Sequence, residues 1–220
     1  MPKENPDVIV LGLSPTGLYA VREAAQAGYS VLGVGEPGSI GLQSRYLVER
    51  IVAQTANARV AAILNRTDPS SAKKPVLIVT SDQDLEAVGI YSKILTKHVH
   101  MQGSYKDGLA SQIMDKEVFY QYCNTHDVIY PLLLAVPLEE ASQYRDKVNF
   151  PLMIKPSRIQ DVKHLMAGQK GWVVTSPKSF DRVLQKIPQE IGTILMQEIV
   201  PGPESNITLW AGYIDETGQV

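Results

Sequence analysis

A single cysteine, Cys123, is all that the 220-residue sequence contains. That excludes an internal disulfide and any cysteine-rich metal site. Cys123 falls in a helical pattern four residues after Phe119, the place of a small core residue rather than a nucleophile. Histidine is scarce too, with four in the chain. His98 and His100 could share one face of a short strand, but no third ligand lies close in sequence, so they read as solvent-exposed. Neither sign of charge dominates, with 21 Lys and Arg against 23 Asp and Glu. No basic excess points to nucleic acid and no like-charge block to a disordered tail. Long apolar runs are missing from the start. After the polar MPKENPD, Val8 to Leu13 gives six apolar or small residues, too short for a signal-peptide core or a membrane span, and the expectation is a cytoplasmic protein that does not enter the membrane.

The front half has the rhythm of a parallel sheet. Val8 to Gly12 is a continuous aliphatic run, as in a strand buried on both faces. Ser14 offers an N-cap oxygen, Pro15 suits the first helical position, and Leu18, Val21 and Ala25 recur at helical spacing up to Gly28, a candidate left-handed C′ residue. Ser30 to Val34 is the next strand, closing a β–α–β unit at Gly35-Glu36. Gly12, Gly17 and Glu36 superficially suit a dinucleotide, Glu36 lying 24 residues beyond Gly12. However, the turn reads G-x-S-P-x-G, and Ser14-Pro15 stand where backbone must approach a pyrophosphate. A structural turn is the preferred reading. A further strand, Pro75 to Thr80, is followed by a helix capped by Ser81 or Asp82, with Leu85, Val88 and Leu95 facing inward. Residues 65–74 read as a surface loop.

In the second half, Asp115 caps a helix opened by Lys116, with Val118, Phe119 and Tyr122 as its expected apolar stripe. Phe150 to Pro156 (FPLMIKP) is a strand with Lys155 at its end, and Lys170 to Thr175 (KGWVVT) is another. Ser179 to Ile191 is an amphipathic helix presenting Phe180, Val183, Leu184 and Ile187. Thr193 to Val200 is a strand that leaves through Pro201-Gly-Pro-Glu204.

A lysine opening a helix, FPLMIKP, a KG-strand and QEIVPGPE in this order resemble the ATP-grasp family of carboxylate–amine ligases. Ser44-Arg45-Tyr46 and the aliphatic strand followed by TSDQD look like its D-aspartate ligase-like subgroup. The resemblance implies an α/β fold in three parts. A Rossmann-like domain with connecting helices spans residues 1–126, an α+β lid subdomain 127–200, and the start of a second ATP-grasp subdomain 201–220. The lid should form one sheet from strands near residues 152, 172 and 195, with helices packed on it and a mobile loop at 157–169. That loop has only Gly168 and Gly171 where many members have a glycine-rich cover, and it is more basic, with Arg158, Lys163 and Lys170.

The resemblance also implies ATP and Mg²⁺, with small-molecule carboxylate and amine substrates; a homodimer is compatible with it. ATP carries about four negative charges, which lysines on separate elements neutralise as point charges. By resemblance Lys116 and Lys155 contact the phosphates, with Lys170 beside them. Backbone groups of Glu198 and Val200 and the side chain of Gln197 read the purine edge, and Glu204 accepts from ribose hydroxyls. The bland alternatives are an exposed helix-start lysine at Lys116, a solvated strand end at Gln197-Glu198 and an ordinary turn carboxylate at Glu204. Lys155 is harder to explain away, because a lysine inside an apolar strand needs a partner or an exit to solvent. Asp215-Glu-Thr-Gly218 is a turn signature after a strand expected over Ile207 to Ile214. The metal ligands and the remaining catalytic groups are expected beyond residue 220, leaving no catalytic residue here and an inactive fragment. The reading from another class is a non-catalytic nucleotide-binding regulator; an NAD-dependent oxidoreductase is a weaker third.

Overall fold

The structure is a computed structural model that describes residues 4–157, 159–210, 212, 213, 215, 217 and 219, with the side chains of 160 and 161 left aside. Arg158, Ile214, Glu216 and Gly218 lie outside the described residues. The chain divides into two compact units, Met1–Gln112 with Gly212–Val220, and Ile113–Ala211.

The first unit is built in alternation. It runs β1 (Val8–Leu11), α1 (Pro15–Gln26), β2 (Val31–Gly35), β3 (Leu47–Val52), α2 (Ala56–Arg66), β4 (Val76–Val79) and α3 (Asp82–His98), then two single turns, α4 (Gly103–Lys106) and α5 (Leu109–Gln112). Its strands are parallel in the order β3-β2-β1-β4. Side chains alternate across the sheet. Ile9, Leu11, Leu32 and Val34 join Val60, Ile63, Val88 and Leu95 of α2 and α3 in one core, while Val8, Val10 and Val31 meet Val21 of α1 on the other side. With both faces covered, a central strand is apolar at every position, and β1 is buried throughout.

The β1–α1 turn is closely packed. Gly12 has φ +89°, and a Cβ there would sit 2.9 Å from the Thr80 hydroxyl. A Cβ on Gly17 would overlap the Gly12 carbonyl. The Thr80 hydroxyl donates to that carbonyl at 2.7 Å. The two glycines are thus accounted for by close packing of turn, helix and β4. Ser14 sits at the N-cap of α1 but makes no side-chain cap bond; Pro15 needs no donor satisfied at that position. At α3, Ser81 is the capping residue and its hydroxyl accepts from the Asp84 amide. His98 closes α3 instead of lying on a strand, and its Nδ1 is 2.9 Å from the Thr67 hydroxyl, so it is partly buried; His100 is exposed and bridges β4 through its backbone.

The second unit is an antiparallel sheet with a helical layer. It runs α6 (Lys116–Thr125), β5 (Leu133–Pro137), β6 (Leu152–Pro156), α7 (Ile159–Val162), β7 (Trp172–Val174), α8 (Pro177–Leu184) and β8 (Thr193–Glu198), in the strand order β5-β8-β6-β7. The strands near 152, 172 and 195 do share one sheet. Leu152, Ile154, Val174, Ile194 and Met196 point to one face, where Phe180 and Ile187 complete the core. The amphipathic helix is shorter than its apolar pattern suggested. Ser176 and Ser179 form a capping box at its start and the α-helix ends at Leu184, before a 3-10 turn at Gln189–Ile191 led by Pro188. A proline cannot donate into a helix, so the hydrophobic period continues but the hydrogen-bond ladder does not.

Three further expectations change. Phe119 and Tyr122 of α6 are exposed, and Lys116, Tyr120 and Cys123, at helical spacing, form the more sheltered face. The 157–169 segment, expected to be a mobile loop, carries two helical turns, and Val162 and Met166 are buried in the core. Ile207 to Trp210, expected in a strand, belong to none. Asp215 does organise a turn, its carboxylate accepting from the amides of Thr217 and Gln219.

Candidate functional site

The second sheet has one face against the core and one that is polar at intervals. Cross-strand register places Leu133, Gln197 and Met153 in one row and Ala135, Leu195 and Lys155 in the next. Lys155 therefore stands diagonal to Gln197 on the non-core face, within reach of a long side chain. Pro156, which follows, keeps Lys155 extended, so the ammonium projects from the sheet.

The Lys155 Nζ donates to Gln197 Oε1 at 2.7 Å, and Gln197 Nε2 donates to the Tyr120 hydroxyl at 3.2 Å. Burial first, and then the charges of Lys116 and Lys170, push the Lys155 ammonium below the ordinary lysine pKa. The three lysines come from the first turn of α6, the end of β6 and the residue before Gly171, so folding brings together Lys116, Lys155 and Lys170. None is ion-paired to a carboxylate among the described residues. Asp115 holds the start of α6, accepting from the amides of Glu117 and Val118. Gly171 explains the close approach from the third side, because a Cβ there would lie 2.9 Å from Lys155 Cγ.

Like charges gathered on a half-buried face are unfavourable without an anion, and a polyphosphate supplies one. The rest of the face is apolar, with Leu133, Met153 and Leu195 around the two polar side chains. Of these, Leu195 is fully buried, while Leu133 and Met153 are partly exposed.

The other expected residues are less tightly gathered. Glu198 is committed to the strand end, its amide donating to the Leu132 carbonyl at 2.8 Å and its carboxylate accepting from the Leu132 amide at 3.1 Å. Val200 is exposed. Glu204 is exposed in a one-turn 3-10 helix and has no hydrogen bond or ion pair with the lysines among the described residues. Sequence reading missed Tyr120, although its spacing of four from Lys116 puts the two on one helix face. A cavity of about 90 Å³ opens by Leu134, Leu152, Met196 and Glu198, on the core side of the sheet and away from the lysines. Among the described residues no three His, Cys, Asp or Glu side chains converge as a metal site, and no helix is long and apolar enough to cross a membrane.

No family model matches the chain. Over 160 residues it is 27% identical to D-aspartate ligase of Enterococcus faecium, covering 67% of this chain and 37% of that protein. Its fold is shared with N5-carboxyaminoimidazole ribonucleotide synthetase from Thermotoga maritima (TM-score 0.61, 18% identity, 89% of this chain and 46% of that one). A similar match is the Aspergillus clavatus N5-carboxyaminoimidazole synthase, solved with ADP and 5-aminoimidazole ribonucleotide (TM-score 0.63, 14% identity, 88% and 46%). L-amino acid ligase from Bacillus licheniformis matches at TM-score 0.62 and 11% identity, over 91% and 46%. The chain is thus similar in sequence to a D-aspartate ligase and shares the fold of these synthetases and ligases. It spans less than half the length of these relatives.

Proposed function

We propose that this chain is an ATP-grasp homologue and supplies the nucleotide-phosphate face of an ATP-dependent carboxylate–amine ligase. The observation that carries the reading is the convergence of Lys116, Lys155 and Lys170 on one half-buried sheet face. In the reaction, a substrate carboxylate oxygen attacks the γ-phosphorus of ATP and ADP leaves, giving an acylphosphate. The amine then attacks the acyl carbon and expels phosphate, forming the C–N bond. The chain's share is electrostatic. Lys116 and Lys155 hold the transferring phosphates and draw off charge as it accumulates toward the ADP leaving group, with Lys170 at the edge. Leu133 and Met153 support the base, the Glu198 carbonyl and Val200 amide meet its edge, and Glu204 accepts from the ribose. Mg²⁺ fits the reaction, but the described residues offer no metal site, so the charge work assigned to them is that of the lysines. The domain boundaries at 126 and 200, a cytoplasmic setting and a homodimer belong to the same proposal.

Titration of the 220-residue chain with ADP tests the reading. Lys155→Met keeps the apolar stem and removes the charge, so ADP affinity should fall roughly ten- to a hundredfold, the loss of one charge-assisted contact. An unchanged affinity in a folded variant would falsify the phosphate role.

A further inference from the structure

The Gln197 amide, expected to read a purine, is bonded at both ends within the protein. We infer that Gln197 and Tyr120 are positioning residues that fix Lys155 of the sheet relative to Lys116 of α6, so that two cations on separate elements meet one polyphosphate. The inference rests on the proposed phosphate role of Lys155.

The direction of the chain of bonds is determined by its first member. A lysine ammonium only donates, so the oxygen of Gln197 must face it, and the amide nitrogen is left needing an acceptor. The Tyr120 oxygen is that acceptor. Tyr120 lies four residues after Lys116, one turn along the same face of α6. The bond from Gln197 thus fastens the helix that carries one lysine to the strand that carries the other. The phenol ring is itself held, with Tyr130 at 5.0 Å between centroids and Phe119 at 5.4 Å edge-on. Burial and Cys123 push the Tyr120 phenol upward, so it stays a neutral hydroxyl. If the hydroxyl is removed, the Gln197 amide nitrogen loses its acceptor and its tie to α6, and only the Lys155 ammonium still orients the amide. If the amide is removed, Lys155 loses the acceptor that favours its charged form while Lys116 and Lys170 still oppose it.

The groups that face Lys155 are Lys116 and Tyr120 from α6, Lys170 from the segment before β7, and Gln197 from β8. All but Tyr120 and Gln197 are cations, so removing Gln197 leaves repulsion uncompensated. ADP binding as a function of pH reads this out. The binding should weaken on the alkaline side as Lys155 loses its proton, and in Gln197→Met that limb should move to lower pH.

The experiment uses the 220-residue chain with Tyr120→Phe, Gln197→Met and Lys116→Met, checked for folding by thermal melting. Tyr120→Phe should weaken ADP binding by roughly fivefold in the otherwise unaltered chain and have little further effect in Lys116→Met, because the tether acts through that lysine. Equal losses in both backgrounds, or an alkaline limb that stays in place in Gln197→Met, would overturn the positioning role. A second measurement separates this from failure of the phosphate reading. Gln197→Met should raise the rate at which an amine-selective reagent labels Lys155 at pH 8, whether or not ADP binds there. Wild-type labelling rates in the folded variant would overturn the relay on their own. If Lys155→Met binds ADP normally while Gln197→Met still accelerates labelling, the relay stands and the phosphate role does not.

Discussion

The two units treat charge in opposite ways. In the first, Arg59 and Asp84 are both buried, 4% and 1% exposed at their side chains, and meet at 2.7 Å. Every remaining demand is met nearby. Arg59 donates to the carbonyls of Ala53 and Gln54, and Asp84 also accepts from Ser81 at the head of α3. In the second, Lys116, Lys155 and Lys170 share a half-buried face with no carboxylate partner among the described residues. A charge pair that is complete within the protein holds α2, α3 and the end of β3 together. A set of like charges costs the fold something, which the proposed polyphosphate would offset from outside. The contrast separates structure from binding better than any single motif does.

The sharpest way to break the contrast is at the pair. Arg59→Met leaves the Asp84 carboxylate buried and unpaired, and the loss should be about 3–5 kcal/mol in chemical unfolding. A loss below about 1 kcal/mol would show that the site is wetter than its burial implies. Next in size is Gly171→Ala, whose new methyl would press on the Ile154 carbonyl and the Lys155 stem. It should cost about 1–3 kcal/mol of stability by overpacking and weaken ADP binding as well, since Lys155 must move. Stability lost with ADP affinity intact would place the lysine stem outside the nucleotide's reach. Lys155→Met should instead leave unfolding stability within about 0.5 kcal/mol of the parent, because it removes a like-charge conflict and keeps the stem. A large destabilisation there would make Lys155 structural, and the contrast between the units would fail.

How much of this was legible depends on burial pattern. β1, β2 and β4 could be read because each is an unbroken aliphatic run, β1 and β2 in the centre of the sheet and β4 at its other margin. β3 was not, since its sequence LVERIV lies at the sheet margin with Val48 and Val52 exposed and Glu49 and Arg50 in the middle. Helix α2 carried a readable signal, the Thr55 cap followed by Val60 and Ile63 at helical spacing, but the charged strand before it hid the β–α–β rhythm. β5, in PLLLAVP, has prolines at both ends and no polar alternation. At the site, Lys116 could be named by the family resemblance, and Lys155 also because a lysine departs from its apolar strand. The bond between Lys155 and Gln197 could not, since it depends on the pairing of β6 with β8 across 42 residues. Alternation along β8 did contain one clue. Gln197 must share a face with Leu195, opposite Met196 and Glu198.

The smallest effect tests the contrast through pH. At Asp7 the first unit favours a charge. The Ser30 hydroxyl and amide donate to its carboxylate, Lys73 lies 2.9 Å away, and these contacts hold its pKa far below the usual carboxylate range. A carboxylate whose folded pKa is depressed contributes stability above its unfolded pKa, about 3.9, and loses it as pH falls toward the folded value. Asp7→Asn should therefore melt below the parent at pH 6, with the gap closing as pH drops below about 4. Lys155 gives the opposite case. Its folded pKa is also depressed, but for a lysine this means that folding opposes the charge, so its contribution becomes more favourable as pH rises from the folded value toward the ordinary one near 10.4. Melting curves of the parent, Asp7→Asn and Lys155→Met from pH 3 to 10 would read both slopes in one series. The Asp7→Asn gap should shrink at the acid end, and any advantage of Lys155→Met should shrink at the alkaline end. A gap at Asp7 that stays constant through the acid range would mean that the bonds from Ser30 act by geometry alone and do not favour the charged carboxylate.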